Sequence, residues 1–179
     1  MRRNTHVALN CPSFHTLCPG LVPGLFSFAN LGYDFCMSTI DQLTDSDIIR
    51  ILQDTKVIAL VGASPRPERP SHQVGTFLAA RGYKVIPVNP GQAGRVLFGQ
   101  TCVASLSDIH EPVDMVDIFR RSEEVAQVVD EALHALKGLK YIWMQLEIVN
   151  DKAAALARAQ GAEVVMDRCP AIEIPRLGM

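Results

Sequence analysis

The sequence predicts an α/β domain built on a doubly wound, mostly parallel sheet of five to six strands, with helices on both faces. The first observation is a series of short apolar segments rich in β-branched residues, beginning with residues 56–61; such segments are typical of buried parallel strands. The second is that the longer segments between them place apolar residues on one helical face. Strands and helices that alternate in this way favour parallel βαβ units.

Capping residues and apolar segments predict the boundaries of these elements. Four residues are suited to begin helices, because their side chains accept hydrogen bonds from the free N–H groups of the first turn: Thr44, Ser71, Ser122 and Asn150. Three glycines are suited to end helices: Gly82, Gly138 and Gly161. The predicted strands are residues 56–61, 85–88, a weak segment near 101–103, 114–119, 141–146 and 163–167.

Charge and composition argue against several classes of function. The formal net charge is −2, so the chain lacks the basic surface that binds nucleic acids or anionic membranes. No apolar run approaches the roughly 20 residues that a membrane-spanning helix needs. The five cysteines form no C-x-x-C pair, which argues against a disulfide framework and a zinc site. We therefore expect no metal, no nucleic acid and no membrane partner, and the unpaired thiols favour a cytoplasmic protein.

Residues 1–36 differ from the rest of the chain. They contain three of the five cysteines and show little periodicity, so we predict an irregular tail followed by one domain over residues 37–179. Met37 is then a natural start, and the tail an upstream extension of the reading frame. The alternative is a signal or transit peptide, but prolines interrupt the apolar stretch and arginines are few.

The connection after the first strand has the properties of a phosphate-binding turn. Gly62 permits a tight turn and a close approach of the backbone to a ligand, and the following helix directs its free N–H groups toward the turn. Arginines within the connection suit phosphate oxygens. The alternative is a plain connector with solvated arginines, but residues 62–71 are longer than most strand–helix connections. The site residues predicted here are Gly62, Ala63, Ser64, Pro65, Arg66, Arg69 and Ser71.

This turn departs from the dinucleotide-binding fingerprint. That pattern requires G-x-G-x-x-G, of which only Gly62 is present in the tight turn. It also expects an acidic residue at the end of the second strand to bind the adenosine ribose, and Asn89-Pro90 stands there instead. Both differences argue against NAD as the ligand, although a strand, a glycine turn and a helix in succession are typical of a Rossmann-like fold.

The ends of the other strands supply further candidates, because the carboxyl ends of parallel strands meet at one edge of a sheet. Phe119 and Arg120 lie at the positive end of a helix, where a bound anion would relieve the repulsion between like charges. The segment after the second strand suits an adenine and ribose or an ordinary turn, and spacing does not separate the two. The residues predicted to line the site here are Asn89, Pro90, Gln92, Phe119, Arg120, Gln145 and Cys169.

No catalytic set is recognisable in the sequence, which shows no nucleophile–base pair and no metal-ligand cluster. His72 is expected to be solvated, with a phosphate contact as the alternative. Asp117 is either a core carboxylate or a group that orients the Arg120 region. Arg168 is suited to depress the pKa of the Cys169 thiol, but a small buried hydrophobe is the commoner role of a free cysteine. We therefore predict a binding protein without catalytic residues.

Four segments in this order resemble the small stand-alone CoA-binding proteins: residues 61–71, 82–90, 113–120 and 165–169. Their fold is similar to that of the CoA-binding domain of the succinyl-CoA ligase α subunit, and the resemblance extends over about residues 40–177. Glu147 stands where these relatives usually have glycine.

The resemblance also implies a role for each turn. Gly62, Ala63 and Ser64 would hold the CoA phosphates, and residues 90–92 would flank the adenosine diphosphate moiety. The other side of the ligand would contact Ile118, Phe119 and Arg120.

Together these observations favour a cytoplasmic protein that binds coenzyme A or an acyl-CoA without catalysis, as a carrier or metabolic sensor. One alternative is an NAD(P)-binding oxidoreductase, which Asn89 and the missing glycines disfavour. Another is a ligand-sensing module that docks on a partner enzyme. The sequence does not separate a simple binder from such a module, and self-association is left open.

Overall fold

Five parallel strands form the central sheet of the structure, a computed structural model in which residues 41–179 are described. The strands of this sheet are β1 (Val57–Val61), β2 (Lys84–Val88), β5 (Met115–Ile118), β6 (Tyr141–Met144) and β7 (Glu163–Val165). A separate antiparallel pair consists of β3 (Val96–Leu97) and β4 (Gln100–Thr101). The helices are α1 (Asp45–Asp54), α2 (Pro70–Ala80), α3 (Ser122–Ala135), α4 (Asp151–Ala159) and α5 (Pro170–Arg176). The predicted tail, residues 1–36, lies outside the described residues.

The sheet has the order β2-β1-β5-β6-β7 and confirms the predicted doubly wound α/β fold. Each strand is buried on both faces, which explains why β1 is a continuous apolar run. Its residues alternate between two cores, with Ile58 and Leu60 in one and Ala59 and Val61 in the other. Residues of α1, α2 and α5 contribute to the first core, and those of α3 and α4 to the second.

The order in which strands are added to the sheet changes sides between β1 and β5. From β1 the chain first adds β2 on one side and then returns to place β5 on the other side. In open parallel sheets, ligands bind in the crevice outside the carboxyl ends of the strands at such a switch point. The predicted turn at Gly62 follows β1, and Phe119 and Arg120 follow β5, so both candidates lie at the switch point.

The weak strand predicted near residues 101–103 is not a strand of the main sheet. Residues Gln100–Thr101 pair with Val96–Leu97 instead, and Val103 forms a single parallel bridge to Val88. The hairpin turn contains Phe98 and Gly99, both with positive φ (53° and 77°), as in the two-residue turns that match the twist of a hairpin. The sheet therefore has five strands and not six.

Two of the four predicted helix caps are correct. The Thr44 side chain accepts a hydrogen bond from the Asp47 N–H, and Asn150 accepts one from the Ala153 N–H. The prediction for Ser71 and Ser122 is wrong, because both residues lie inside the first turn of their helices, α2 and α3. Their N-cap residues are arginines without a capping side chain.

The sequence gives little signal for α5, which was not predicted. It has only seven residues, with Pro170 at its first position and Pro175 inside the helix, so it lacks the length and periodicity that predict a helix. Within residues 41–179, no helix is long and apolar enough to cross a membrane.

Candidate functional site

A cleft of about 980 Å³ opens at the carboxyl ends of the parallel strands. Its volume lies at the upper end of the range of roughly 300–1,000 Å³ that is usual for ligand sites. The connections after all five strands of the sheet contribute to its lining. Twelve of the fifteen predicted site residues line it: Gly62, Ser64, Pro65, Arg66, Arg69, Ser71, Asn89, Gln92, Phe119, Arg120, Gln145 and Cys169.

The other three predicted residues lie elsewhere. The side chains of Ala63 and Ile118 are fully buried in the two cores, so neither lines the cleft. Pro90 lines a smaller cavity of about 260 Å³, which shares Arg120 with the main cleft. The roles of all fifteen as ligand contacts stay predictions.

Gly62 allows the connection after β1 to pass directly beside the connection after β5. Its φ is +91°, and a Cβ at this position would lie 2.4 Å from the Phe119 carbonyl oxygen. The Gly62 N–H donates to the carbonyl of Val88, at the end of β2, at 2.9 Å. The glycine thus joins three strand ends, and any side chain would separate two of them.

Asn89 and His72 hold the turn after β1 in place. The Asn89 amide donates to the Ala63 carbonyl at 2.7 Å, and its Oδ1 accepts from the Gly91 N–H. Nδ1 of His72 lies 2.9 Å from the Ser64 carbonyl, so this nitrogen carries the donating proton. His72 also contacts the ring of Phe98 and is half-buried, which corrects the expectation that it is solvated.

Arginines dominate the charge of the cleft. Arg66 and Arg69 line it from the connection after β1, and Arg120 and Arg121 from that after β5. Within the part of the chain that the structure describes, these four guanidinium groups make no hydrogen bond or ion pair. By contrast, the arginines that stabilise the fold are paired, as in the bridges Arg50–Glu163, Arg168–Asp41 and Arg176–Asp45.

Two of these arginines occupy the N-cap positions of helices that begin at the cleft. Arg69 precedes α2 and Arg121 precedes α3, and neither side chain accepts a hydrogen bond from the first turn of its helix. Cations at the positive end of a helix dipole are unfavourable without an anion nearby. The first turn of α3 contains Glu123 and Glu124, whereas that of α2 contains no acidic residue. The start of α2 is therefore suited to a bound polyanion, whose oxygens would accept from both the guanidinium groups and the free N–H groups.

A buried carboxyl group lies beneath the cleft. Asp117 is fully buried on β5, and its register neighbours on the adjacent strands are Leu60 and Trp143. Its Oδ1 accepts a hydrogen bond of 2.8 Å from Nε2 of Gln145, which lines the cleft, and its Oδ2 has no hydrogen-bond partner among the residues that the structure describes. Burial raises the pKa of Asp117 to about 7, against a smaller lowering by the Gln145 hydrogen bond. Of the two sequence interpretations of Asp117, the core carboxylate is confirmed.

The hypothesis that Arg168 depresses the pKa of Cys169 is wrong. Burial raises the pKa of the Cys169 thiol. The Arg168 side chain is engaged in the interior, where its Nε donates to Asp41 at 3.1 Å and its NH2 group to the carbonyl of Leu43. Cys169 is therefore a small buried side chain that borders the cleft.

Glu147 lies at the cleft in a backbone conformation that favours glycine. Its φ is +64°, and its N–H donates to Oδ1 of Asp167 at 2.7 Å. The substitution Glu147→Gly is expected to raise the free energy of unfolding by about 1 kcal/mol, because it removes the cost of the left-handed conformation. Urea denaturation of both proteins measures the difference, and an equal or lower stability of the variant would contradict this account.

The sequence interpretation missed several residues of the lining. Arg121 directly follows a predicted residue and could have been found from its position at the strand end. Leu146 and Ile148 could not, because nothing local distinguishes them from core residues. The missed residues are Pro70, Val74, Arg121, Leu146 and Ile148. Among residues 41–179, no group of three or more His, Cys, Asp or Glu residues is placed to hold a metal ion.

The fold and this site define a Rossmann-like domain with a cationic cleft at its switch point. The chain belongs to the CoA-binding domain family, whose model matches residues 56–175, and the predicted resemblance is thereby confirmed.

Known proteins of several organisms are similar to this chain. The uncharacterized protein YneT of Bacillus subtilis strain 168 is 40% identical over 124 residues, which are 69% of this chain and 89% of YneT. A solved structure from Thermus thermophilus, cell-free ID.343, is 37% identical with a TM-score of 0.71, covering 75% of this chain and 99% of that one. A dinucleotide-forming acetyl-coenzyme A synthetase of Ca. Korarchaeum cryptofilum is 26% identical with a TM-score of 0.51. That match covers 61% of this chain but 25% of the synthetase.

Proposed function

We propose that the cleft binds coenzyme A or an acyl-CoA through its phosphate groups. The observation that carries the proposal is the set of four arginines around one cleft whose guanidinium groups have no partner within residues 41–179: Arg66, Arg69, Arg120 and Arg121. The diphosphate and the 3′-phosphate of CoA together carry about four negative charges at neutral pH. NAD carries only its diphosphate, so the number of arginines favours CoA. Membership of the CoA-binding domain family supports the same ligand.

We further propose that the protein holds this ligand in the cytoplasm without catalysing a reaction, as a carrier or sensor. The raised pKa of the Cys169 thiol supports this, because a protonated thiol is a poor nucleophile. A sensor role requires a partner that distinguishes the loaded from the empty protein, and a pull-down with and without CoA tests for one.

Isothermal titration calorimetry tests the ligand. We expect CoA and acetyl-CoA to bind more tightly than 3′-dephospho-CoA and NAD, because the latter two lack the 3′-phosphate. Affinity should fall as salt is added, since the contacts are ionic. Failure of both CoA and acetyl-CoA to bind at sub-millimolar concentration would overturn the proposal, and tighter binding of NAD or NADP would favour the oxidoreductase.

The substitution Arg120→Ala is expected to weaken CoA binding about tenfold, because it removes a charge-assisted hydrogen bond to phosphate. Calorimetry with CoA at fixed salt measures the loss. The matched control is Arg158→Ala, which removes the same charge from α4, away from the cleft. Equal losses for the two variants would show that Arg120 acts only through the net charge of the protein.

A further inference from the structure

The charge of the cleft differs between its two ends. The four arginines follow β1 and β5, whereas the connection after β6 contributes Glu147. Glu147 is the one acidic residue that lines the cleft in the described part of the chain. Its neighbours in the chain, Leu146 and Ile148, line the same end, and Leu146 is 48% exposed. This end is therefore apolar with one negative charge.

The fold does not explain why this position is a glutamate. Its φ of +64° costs free energy that glycine would not, and Asp167, which accepts from its N–H, also has a positive φ of 55°. The Glu147 side chain is exposed, and within residues 41–179 its carboxylate has no hydrogen-bond or ion-pair partner. Strained residues of this kind concentrate at functional sites, because folding alone gains nothing from them.

We propose that Glu147 selects against acyl groups that carry a free carboxylate, so that the cleft accepts CoA and its thioesters with uncharged acids. The inference rests on the proposed function. With the phosphates at the arginines, the rest of the ligand extends toward the β6 and β7 ends of the cleft. Leu146 and Ile148 suit a hydrocarbon there, whereas an acyl carboxylate is repelled by Glu147.

Malonyl-CoA and propionyl-CoA provide a matched pair, because both acyl groups have three carbons and only malonyl has a free carboxylate. Calorimetry at low salt is expected to show propionyl-CoA binding about fivefold more tightly to the native protein, the size of repulsion expected between exposed charges. High salt should reduce this ratio, because it screens the repulsion. If Glu147 has a purely structural role, the arginines of the cleft are left to act on the acyl carboxylate, and malonyl-CoA should bind at least as tightly as propionyl-CoA at low salt.

The substitution Glu147→Gln removes the charge and keeps a side chain in the same backbone conformation. It is expected to bring the ratio of the two affinities close to one. Because malonyl-CoA carries one more negative charge than propionyl-CoA, a changed net charge of the protein also acts on this ratio, and a control variant has to measure that general effect. Glu123→Gln is the control: it removes the same charge from an exposed position on α3 outside the cleft, and should keep the native ratio.

The outcomes separate this inference from the proposed function. Equal affinities of the native protein for both thioesters, or a ratio unchanged by Glu147→Gln, would overturn the selection by Glu147 while leaving CoA binding intact. If neither thioester nor CoA itself binds, the proposed function fails and the inference fails with it.

Discussion

The substitution Gly62→Ala is expected to destabilise the protein by about 3 kcal/mol or more and to weaken CoA binding at least tenfold. Two costs combine: the φ of +91° disfavours a side chain, and the new Cβ would lie 2.4 Å from the Phe119 carbonyl oxygen. The obstacle is backbone, which cannot rotate away as a side chain can. Relief requires the turn after β1 to move from the strand end of β5, which separates Ser64 and Arg66 from Arg120.

Gly82→Ala is the matched control for this prediction. Gly82 has nearly the same φ, +92°, but nothing lies within 4 Å of a Cβ built there. Its replacement should therefore cost about 1 kcal/mol, the conformational part alone, and leave CoA binding unchanged. Urea denaturation and calorimetry of both variants measure the two effects. Equal losses of stability would show that the close approach to Phe119 contributes nothing.

Local patterns predict much of this fold, because the elements that carry it have strong local causes. A parallel strand buried on both faces must be apolar throughout, and β1 meets that requirement in the sequence. Thr44 and Asn150 bond to N–H groups only three residues away. Ser71 and Ser122 show the limit of the same reasoning. A serine near a helix start is acceptable both at the N-cap and in the first turn, and the sequence does not tell which of the two positions it occupies.

The sequence predicted the location of the site, because the topology of the sheet decides which turns lie together. Parallel strands bring their carboxyl ends to one edge, so turns far apart in the chain could be assigned to one cleft. What failed depends on contacts between distant residues. Arg168 pairs with Asp41, 127 residues away in the chain, and the sequence interpretation in which Arg168 lowers the pKa of the Cys169 thiol could not take this pairing into account. The side chains of Ala63 and Ile118 lie in the cores, so a ligand contact of these two residues would come from their backbone, and it stays a prediction.

Asp117 provides the second large effect, on stability as a function of pH. Its pKa is raised to about 7 in the folded protein because burial penalises the charged form. The folded state therefore binds a proton between about pH 4 and pH 7 that the unfolded state has released. By linkage, stability is highest below pH 4 as far as this group is concerned, falls as the pH rises toward 7, and levels off above it. The total loss is on the order of a few kcal/mol.

The substitution Asp117→Asn removes this dependence, because the amide has the same shape and does not ionise. We expect the variant to match the native protein below about pH 4 and to exceed its unfolding free energy by a growing margin up to about pH 8, where the native carboxylate is charged and its Oδ2 has no hydrogen-bond partner within residues 41–179. Asp114→Asn is the contrasting control, since Asp114 accepts hydrogen bonds from the Lys56 and Val57 N–H groups and should lose stability when neutralised. Urea denaturation across this pH range measures both. Parallel pH profiles of the native protein and Asp117→Asn would mean that Asp117 titrates alike in the folded and unfolded chains. The surroundings of Asp117 would then be more hydrated and more polar than its position between Leu60 and Trp143 implies.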